Sequence, residues 1–123
     1  MAQTFDICIR GDGIVGRTLA LLLARQNLQV GLVAQPGNTK PDVRAYALNS
    51  ASRDILSSLR CWPDPLHATP VMDMQVWGDE GASVHFDSPT TDGLTWIVDV
   101  PVLETQLGDA LRYQHNIALL EAP

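Results

Sequence analysis

The sequence predicts an α/β fold with a βαβ core, three parallel strands and a small antiparallel sheet. Two observations lead to this prediction. Two β-branched runs within residues 5–34 flank a long stretch rich in Leu and Ala, and the pattern changes to period two from Val71 onward. The 123 residues match the usual length of one domain, so we expect a single domain over 1–123, with 71–98 as an inserted antiparallel sheet.

The first forty residues predict one βαβ unit. The β-branched run over 5–9 predicts a strand, and the apolar stretch over 14–27 predicts a helix packed on both sides. A second strand follows over 30–34, and a loop rich in breaker residues extends to Pro41. Strands joined by such a crossover are parallel.

A second helix is predicted over 49–60. Asn49 or Ser50 is the expected N-cap, because both side chains accept hydrogen bonds from the first helical turn. The helix ends before a Pro-rich connection that runs to Pro70. We expect Arg44 to lie in a loop that leads to the start of this helix.

A β-hairpin is predicted over 71–87. Apolar and polar residues alternate there on both sides of a turn at 79–81. A further turn at Asp92 precedes a strand over 94–98, which we expect to be the third strand of the same small sheet.

The chain ends with a predicted helix and strand. Pro101 suits the first turn of a helix over 101–113, and residues 116–120 read as a strand. We expect strand 116–120 to lie beside 30–34, which lies beside 5–9, so that 5–9 is left at the edge of the parallel sheet.

Composition and charge exclude several classes of protein. The net charge is −6 and the pI is near 4.7, so no general basic field is present for nucleic acid or an anionic membrane. The longest strictly apolar run is far shorter than a membrane span.

The two cysteines, Cys8 and Cys61, form no CxxC pair, which favours a reducing cytoplasm. We expect Cys8 to lie in the core.

The segment between the first strand and the first helix reads Gly-Asp-Gly-Ile-Val-Gly. This GxGxxG motif is typical of Rossmann-like nucleotide sites: Gly11 makes a tight turn, Gly13 lets a pyrophosphate approach, and Gly16 lets helix and strand pack closely. The amides of Ile14 and Val15 and the helix dipole would favour an anion there. The alternative is that the glycines serve only the turn.

Two features near the motif depart from an intact dinucleotide site. Asp12 brings a carboxylate close to the expected pyrophosphate, and Ala34 and Gln35 stand where an acid usually holds the ribose hydroxyls. Both departures are expected to weaken binding. A hydrogen bond to a charged group contributes about 1.5–3 kcal/mol, so losing the ribose acid should cost about one to two decades in affinity.

Arg44 is a second candidate phosphate ligand, since it lies in a segment that leads to a helix start. The alternative is a surface arginine paired with Asp42. The histidines share no metal-ligand spacing, and no nucleophile motif occurs in the sequence. We therefore predict neither a metal ligand nor a catalytic residue.

Several segments together resemble the start of a flavin-dependent aromatic hydroxylase. The residues that carry the resemblance are Asp-Ile-Cys-Ile leading into GDGIVG, then DVRAYALNSAS over 42–52, Trp62-Pro63, and Val-His-Phe-Asp over 84–87. The chain is most similar to the ubiquinone-biosynthesis group of the para-hydroxybenzoate-hydroxylase-like monooxygenases. The resemblance implies FAD as cofactor, held by the glycines and by Arg44, and implies that the sheet over 71–98 begins a substrate-side layer.

Such hydroxylases are much longer, and their later motifs complete the flavin site. We therefore expect the N-terminal FAD-binding portion of a monooxygenase that is inactive as this chain and carries no tightly bound FAD. The alternative is a non-catalytic remnant or assembly protein that kept the fold and lost the flavin. An NAD(P)-dependent dehydrogenase domain also contains a GxGxxG motif, but this alternative does not account for the DVRAYAL segment. The open edge of strand 5–9 and the apolar first helix predict a homodimer or larger assembly.

Overall fold

The computed structural model describes residues 4–35, 44–89 and 93–121. The predicted loop over 36–41, Asp42 and the turn residue Asp92 lie outside the described residues. The elements, in chain order, are β1 Ile7–Arg10, α1 Ile14–Ala24, β2 Val30–Ala34, β3 Ala45–Leu48, α2 Ser50–Ser58, a 3-10 turn Pro65–His67, β4 Ala68–Val71, β5 Asp73–Trp77, β6 Ser83–Asp87, β7 Thr95–Asp99, α3 Val100–Arg112 and β8 Ile117–Glu121.

The parallel sheet has the order β1-β2-β8, as predicted. Strand β2 is central, with Val30 opposite Ile7 on one side and Ile117 on the other. Asn116 joins this sheet to the end of α1: its side-chain amide donates 2.9 Å hydrogen bonds to the carbonyls of Ala24 and Leu28. The mixed α/β architecture with a parallel sheet is therefore confirmed.

Helices α1 and α3 cover one face of the parallel sheet. The core between them is fully apolar, and it continues toward α2 and β7. Its most buried members in this layer are Ala20, Leu21, Val30, Leu32, Leu103 and Leu107. Burial of this common face explains why the βαβ unit was visible in the sequence.

The first helix is packed on one side, so the prediction of packing on both sides is wrong. Val15 is 81% exposed and Leu19 is 42% exposed, whereas Ala20 and Leu21 lie in the core. The helix also ends earlier than predicted, at Ala24. Asn27 adopts a left-handed backbone conformation with φ of 63°, which is incompatible with a continuing helix.

The two cysteines have different environments. Cys8 is exposed, so its prediction as a core residue is wrong. Side chains alternate along a strand, and Ile9 rather than Cys8 packs against the helix-covered core. Cys61 is buried, and this burial raises the pKa of its thiol.

A second, antiparallel sheet has the order β3-β7-β4. The strand predicted over 94–98 does not join the hairpin, so that prediction is wrong, and residues 45–48 form a strand that was not predicted. Strand β7 is central because Thr95, Trp96 and Val98 are buried, and Trp96 packs edge-to-face with Trp62 at 6.0 Å. Period-two alternation identifies the buried face of a strand but does not identify its neighbours.

The predicted hairpin is confirmed as β5 and β6. Met74 pairs with Phe86 and Val76 with Val84, which places these four apolar side chains on one face. All residues of both strands are exposed. The turn between them includes Gly81, whose φ of 83° favours glycine.

The remaining helices and the last strand form close to their predicted bounds. Asn49 is the N-cap of α2, since its side chain accepts a 2.9 Å hydrogen bond from the amide of Ser52. Pro101 lies in the first turn of α3, where a missing amide proton costs no helical hydrogen bond. Within the described residues, no helix has the length and apolar character needed to cross a membrane.

Candidate functional site

The glycine motif forms the turn between β1 and α1. Gly11 has a φ of 115°, a conformation that side chains rarely tolerate, and its amide donates a 2.9 Å hydrogen bond to the carbonyl of Val33. A Cβ atom at Gly16 would lie 1.9 Å from the carbonyl oxygen of Gly11. Turn geometry thus requires glycine at position 11, and close packing of helix against loop requires it at position 16.

Gly13 differs from the other two glycines because the space beside it is open. A Cβ atom there would meet no heavy atom within 4 Å. Gly13 is the N-cap of α1 and has no side chain, so it offers no side-chain acceptor to the first-turn amides of Ile14, Val15 and Gly16. This end of the helix can therefore accept an approaching anion.

Asp12 points toward the end of β2. Its Oδ1 accepts a 3.2 Å hydrogen bond from the amide of Gln35, and its Oδ2 lies 3.9 Å from Nη2 of Arg17. The carbonyl of Asp12 also accepts a 2.7 Å hydrogen bond from Nε of Arg17. The side chain is thus held between the first turn of α1 and the residue that follows β2.

Arg17 connects the glycine loop to α3. Its Nη1 donates a 2.7 Å hydrogen bond to the carbonyl of Glu104. Gly108 makes room for this contact, since a Cβ atom there would lie 3.0 Å from Nη1 of Arg17. No local pattern in the sequence indicates this role of Arg17, because its backbone partner lies 87 residues away.

A cavity of about 530 Å³ opens between the glycine loop, the end of β2 and α3. Asp12 and Ala34 line it from the sheet side, and Thr105, Asp109 and Arg112 line it from the helix side. Ligand sites of α/β sheets lie beyond the carboxyl ends of parallel strands, as this cavity does, and its volume suits a small-molecule ligand.

Arg44 is placed apart from this cavity. It lies exposed just before β3, its guanidinium stands over the ring of Tyr46 at 5.3 Å, and its carbonyl accepts a 3.1 Å hydrogen bond from the amide of Val100. It is not among the residues that line the cavity. Its role as a phosphate ligand stays a prediction, as does the alternative pairing with Asp42.

An apolar groove of about 390 Å³ lies on the exposed side of α1. Val15, Leu19 and Leu22 line it from that helix, and Leu48 and Ile55 line it from β3 and α2. The described residues of this groove contribute no charged side chain. The groove therefore has the character of a packing surface rather than of an anion site.

The hairpin brings three possible metal ligands together. Ligand atoms of Asp73, His85 and Asp87 lie within 4.8 Å of one another on its polar face. All three residues are exposed, and Asp73 pairs directly with Asp87 across the strands. We assign no metal site to them, because exposed groups of this kind compete poorly with water for an ion.

No protein-family model matches this chain, but a curated relative is similar to most of its length. The relative is 3-demethoxyubiquinol 3-hydroxylase of Escherichia coli, which is 32% identical over 127 residues. The match covers 95% of this chain and 32% of the relative. The chain thus spans about a third of the length of the hydroxylase that it matches.

Solved structures of flavoproteins share the fold. A flavin-dependent monooxygenase, solved with FAD and substrate, superposes with a TM-score of 0.67 at 22% identity, covering 95% of this chain and 23% of that one. The myxobacterial chondrochloren halogenase, a variant of FAD-dependent halogenases, gives 0.69 at 18% identity, covering 98% and 29%. The predicted resemblance to ubiquinone-biosynthesis hydroxylases is confirmed, and the fold is that of FAD-dependent enzymes.

Proposed function

We propose that this chain is the FAD-binding portion of a flavin-dependent monooxygenase that hydroxylates an aromatic or ubiquinone-precursor ring. The observation that carries the proposal is the open space at Gly13, at the N-terminus of α1 beside the 530 Å³ cavity. The pyrophosphate would lie against Gly13 and the amides of Ile14, Val15 and Gly16, and the adenosine would enter the cavity. Gly11 supports the loop, and Arg44 is a further candidate contact to the cofactor.

The residues of this chain would bind the nucleotide half of the cofactor. FAD supplies the hydroxylation chemistry when it is bound, and the protein contributes orientation and exclusion of water. The chain spans about a third of its relative, and Arg44 lines neither the 530 Å³ cavity nor the apolar groove. We therefore propose that the chain alone holds adenosine and pyrophosphate without sequestering the flavin ring, and has no hydroxylase activity alone.

A non-catalytic role is the second candidate. It is favoured by Ala34, which offers no carboxylate to the ribose at the end of β2. A remnant or assembly protein of this kind would keep the core and the glycine turn for stability. Both candidates fit a cytoplasmic protein, because Cys8 and Cys61 are free thiols.

Calorimetric titration with ADP and with FAD tests the first candidate. We expect ADP to bind at one site and FAD to bind no more than about tenfold tighter, since the flavin ring gains few contacts. Gly13→Val should lower the affinity for ADP by at least about tenfold, because the side chain fills the space that the pyrophosphate needs. Gly78→Val is the matched control in the hairpin turn. A folded chain that binds no ADP would favour the non-catalytic candidate.

We also propose that the chain forms a homodimer or larger assembly through β1, α1 or both. Strand β1 is an edge of the parallel sheet in the described residues, and Val15 and Leu19 are exposed on α1. Leu19→Arg should shift the mass measured by light scattering toward the monomer. Leu66→Arg, at an 88% exposed position in the 3-10 turn, should leave it unchanged. A monomeric wild-type chain at high concentration would contradict the proposal.

A further inference from the structure

We infer that Asp12 supplies the ribose-binding carboxylate that the end of β2 lacks. The inference rests on the proposed nucleotide site and names the residue that would recognise the sugar. In the usual arrangement an acid at the end of the second strand accepts hydrogen bonds from the ribose hydroxyls. Here the acid has moved to the glycine loop, and its carboxylate lies next to the position that Ala34 leaves without one.

The position of the Asp12 carboxylate supports this assignment. Its Oδ1 is 3.2 Å from the backbone nitrogen of Gln35, the residue directly after Ala34. Asp12 and Ala34 line the same 530 Å³ cavity. The carboxylate therefore occupies the end of β2 in space, although it belongs to the loop after β1 in sequence.

Arg17 holds the carboxylate there and offsets its charge. The arginine is fixed by two backbone carbonyls, those of Asp12 and Glu104, each at 2.7 Å. Its Nη2 stands 3.9 Å from Oδ2 of Asp12. An ionised carboxylate has about four acceptor positions, so the Gln35 amide and this ion pair leave capacity for ribose hydroxyls. The adjacent cation also reduces repulsion between Asp12 and a pyrophosphate.

Two roles of Asp12 predict opposite outcomes. If the carboxylate only repels the pyrophosphate, removing it strengthens binding of every adenine nucleotide equally. If it binds the ribose, removing it weakens the binding of ADP and leaves the binding of an analogue without ribose hydroxyls almost unchanged. The ratio of the two affinities therefore separates the roles.

The experiment measures the dissociation constants of ADP and 2′,3′-dideoxy-ADP by calorimetry. We expect the wild-type chain to bind ADP at least about tenfold tighter than the dideoxy analogue, since hydrogen bonds to a charged group are lost in the analogue. Asp12→Asn should reduce this ratio below about threefold. Adding Ala34→Glu to that variant should restore the preference by returning an acid to the end of β2.

Asp54→Asn is the matched control, because it removes one negative charge at an exposed position of α2 that does not line the cavity. It should leave the wild-type ratio unchanged. Equal affinity of the wild-type chain for both nucleotides would overturn this inference alone and leave the nucleotide site standing. An Asp12→Asn variant that binds both nucleotides more tightly by the same factor would also overturn it. Failure of the folded chain to bind either nucleotide would overturn the proposed function as well.

Discussion

The parallel sheet and the β5–β6 hairpin each have an apolar face. Helices cover that face of the sheet, whereas the apolar face of the hairpin is exposed. In the helix-covered layer, Val30 of β2 and Leu103 of α3 are completely buried. On the hairpin, Met74 and Val84 remain 40% and 54% exposed. The two regions therefore have the same kind of sequence pattern and opposite environments.

The difference shows which region supplies most of the stability of the chain. Helix-covered strands gain from apolar burial, at about 25 cal/mol per Å², whereas cross-strand pairs contribute roughly 0.2–1 kcal/mol each. A two-stranded hairpin without other packing is marginally stable. The helix–sheet layer thus supports the glycine loop and its cavity, while the hairpin presents an apolar face suited to a further layer of protein.

Leu103→Ala should give the largest loss of stability. Leu103 lies in α3 at 0% exposure and belongs to the core cluster that includes Leu21 of α1 and Val30 of β2. Removal of such a side chain costs about 2–5 kcal/mol in the free energy of unfolding, from lost transfer energy and the cavity left behind. Urea unfolding followed by circular dichroism measures it. Leu66→Ala, the same change at an exposed position, should stay within about 0.5 kcal/mol. Similar losses for both variants would contradict the assigned core.

Gly16→Ala should give the next largest effect. The new Cβ atom would overlap the carbonyl of Gly11, so the loop or α1 must shift, at a cost of about 1–3 kcal/mol. Gly13→Ala introduces the same atom into open space and should leave the unfolding midpoint nearly unchanged. Thermal unfolding of the two variants compares them directly. Equal destabilisation would mean that the glycines do not have separate roles.

Much of the helix–sheet layer could be predicted because its signals are local. Three signals each determine the structure of only a few neighbouring residues: the GxGxxG turn, the N-cap at Asn49, and Pro101 in the first turn of α3. Burial of one continuous apolar face then determines the parallel order β1-β2-β8. The sequence was sufficient here because local preference and tertiary packing agree.

The remaining features depend on contacts between distant residues. Thr95 in β7 donates a hydrogen bond to the carbonyl of Leu48, and Arg17 reaches Glu104 in α3. No alternation or spacing encodes such partners, so β3 was missed and β7 was assigned to the wrong sheet. The predicted packing of α1 on both sides was wrong because an apolar composition indicates what could be buried, not what covers it.

The smallest effect should come from Val84→Ala in the hairpin, measured against Val30→Ala in β2. The two substitutions remove the same atoms, but Val84 is half exposed and Val30 is fully buried. Val30→Ala should cost roughly 1.5 kcal/mol or more in the free energy of unfolding, from two buried methyl groups, whereas Val84→Ala should cost less than about 0.5 kcal/mol.

Hydrogen exchange gives a second measure in the wild-type chain: hairpin amides should exchange through local opening, while those of β2 should exchange only through global unfolding. If Val84→Ala were as costly as Val30→Ala and the hairpin amides as protected as those of β2, the hairpin would have to be covered in solution. The assembly proposed through β1 and α1 would then have to include the apolar face of the hairpin, because Met74, Val76, Val84 and Phe86 are between 40% and 54% exposed within the described residues.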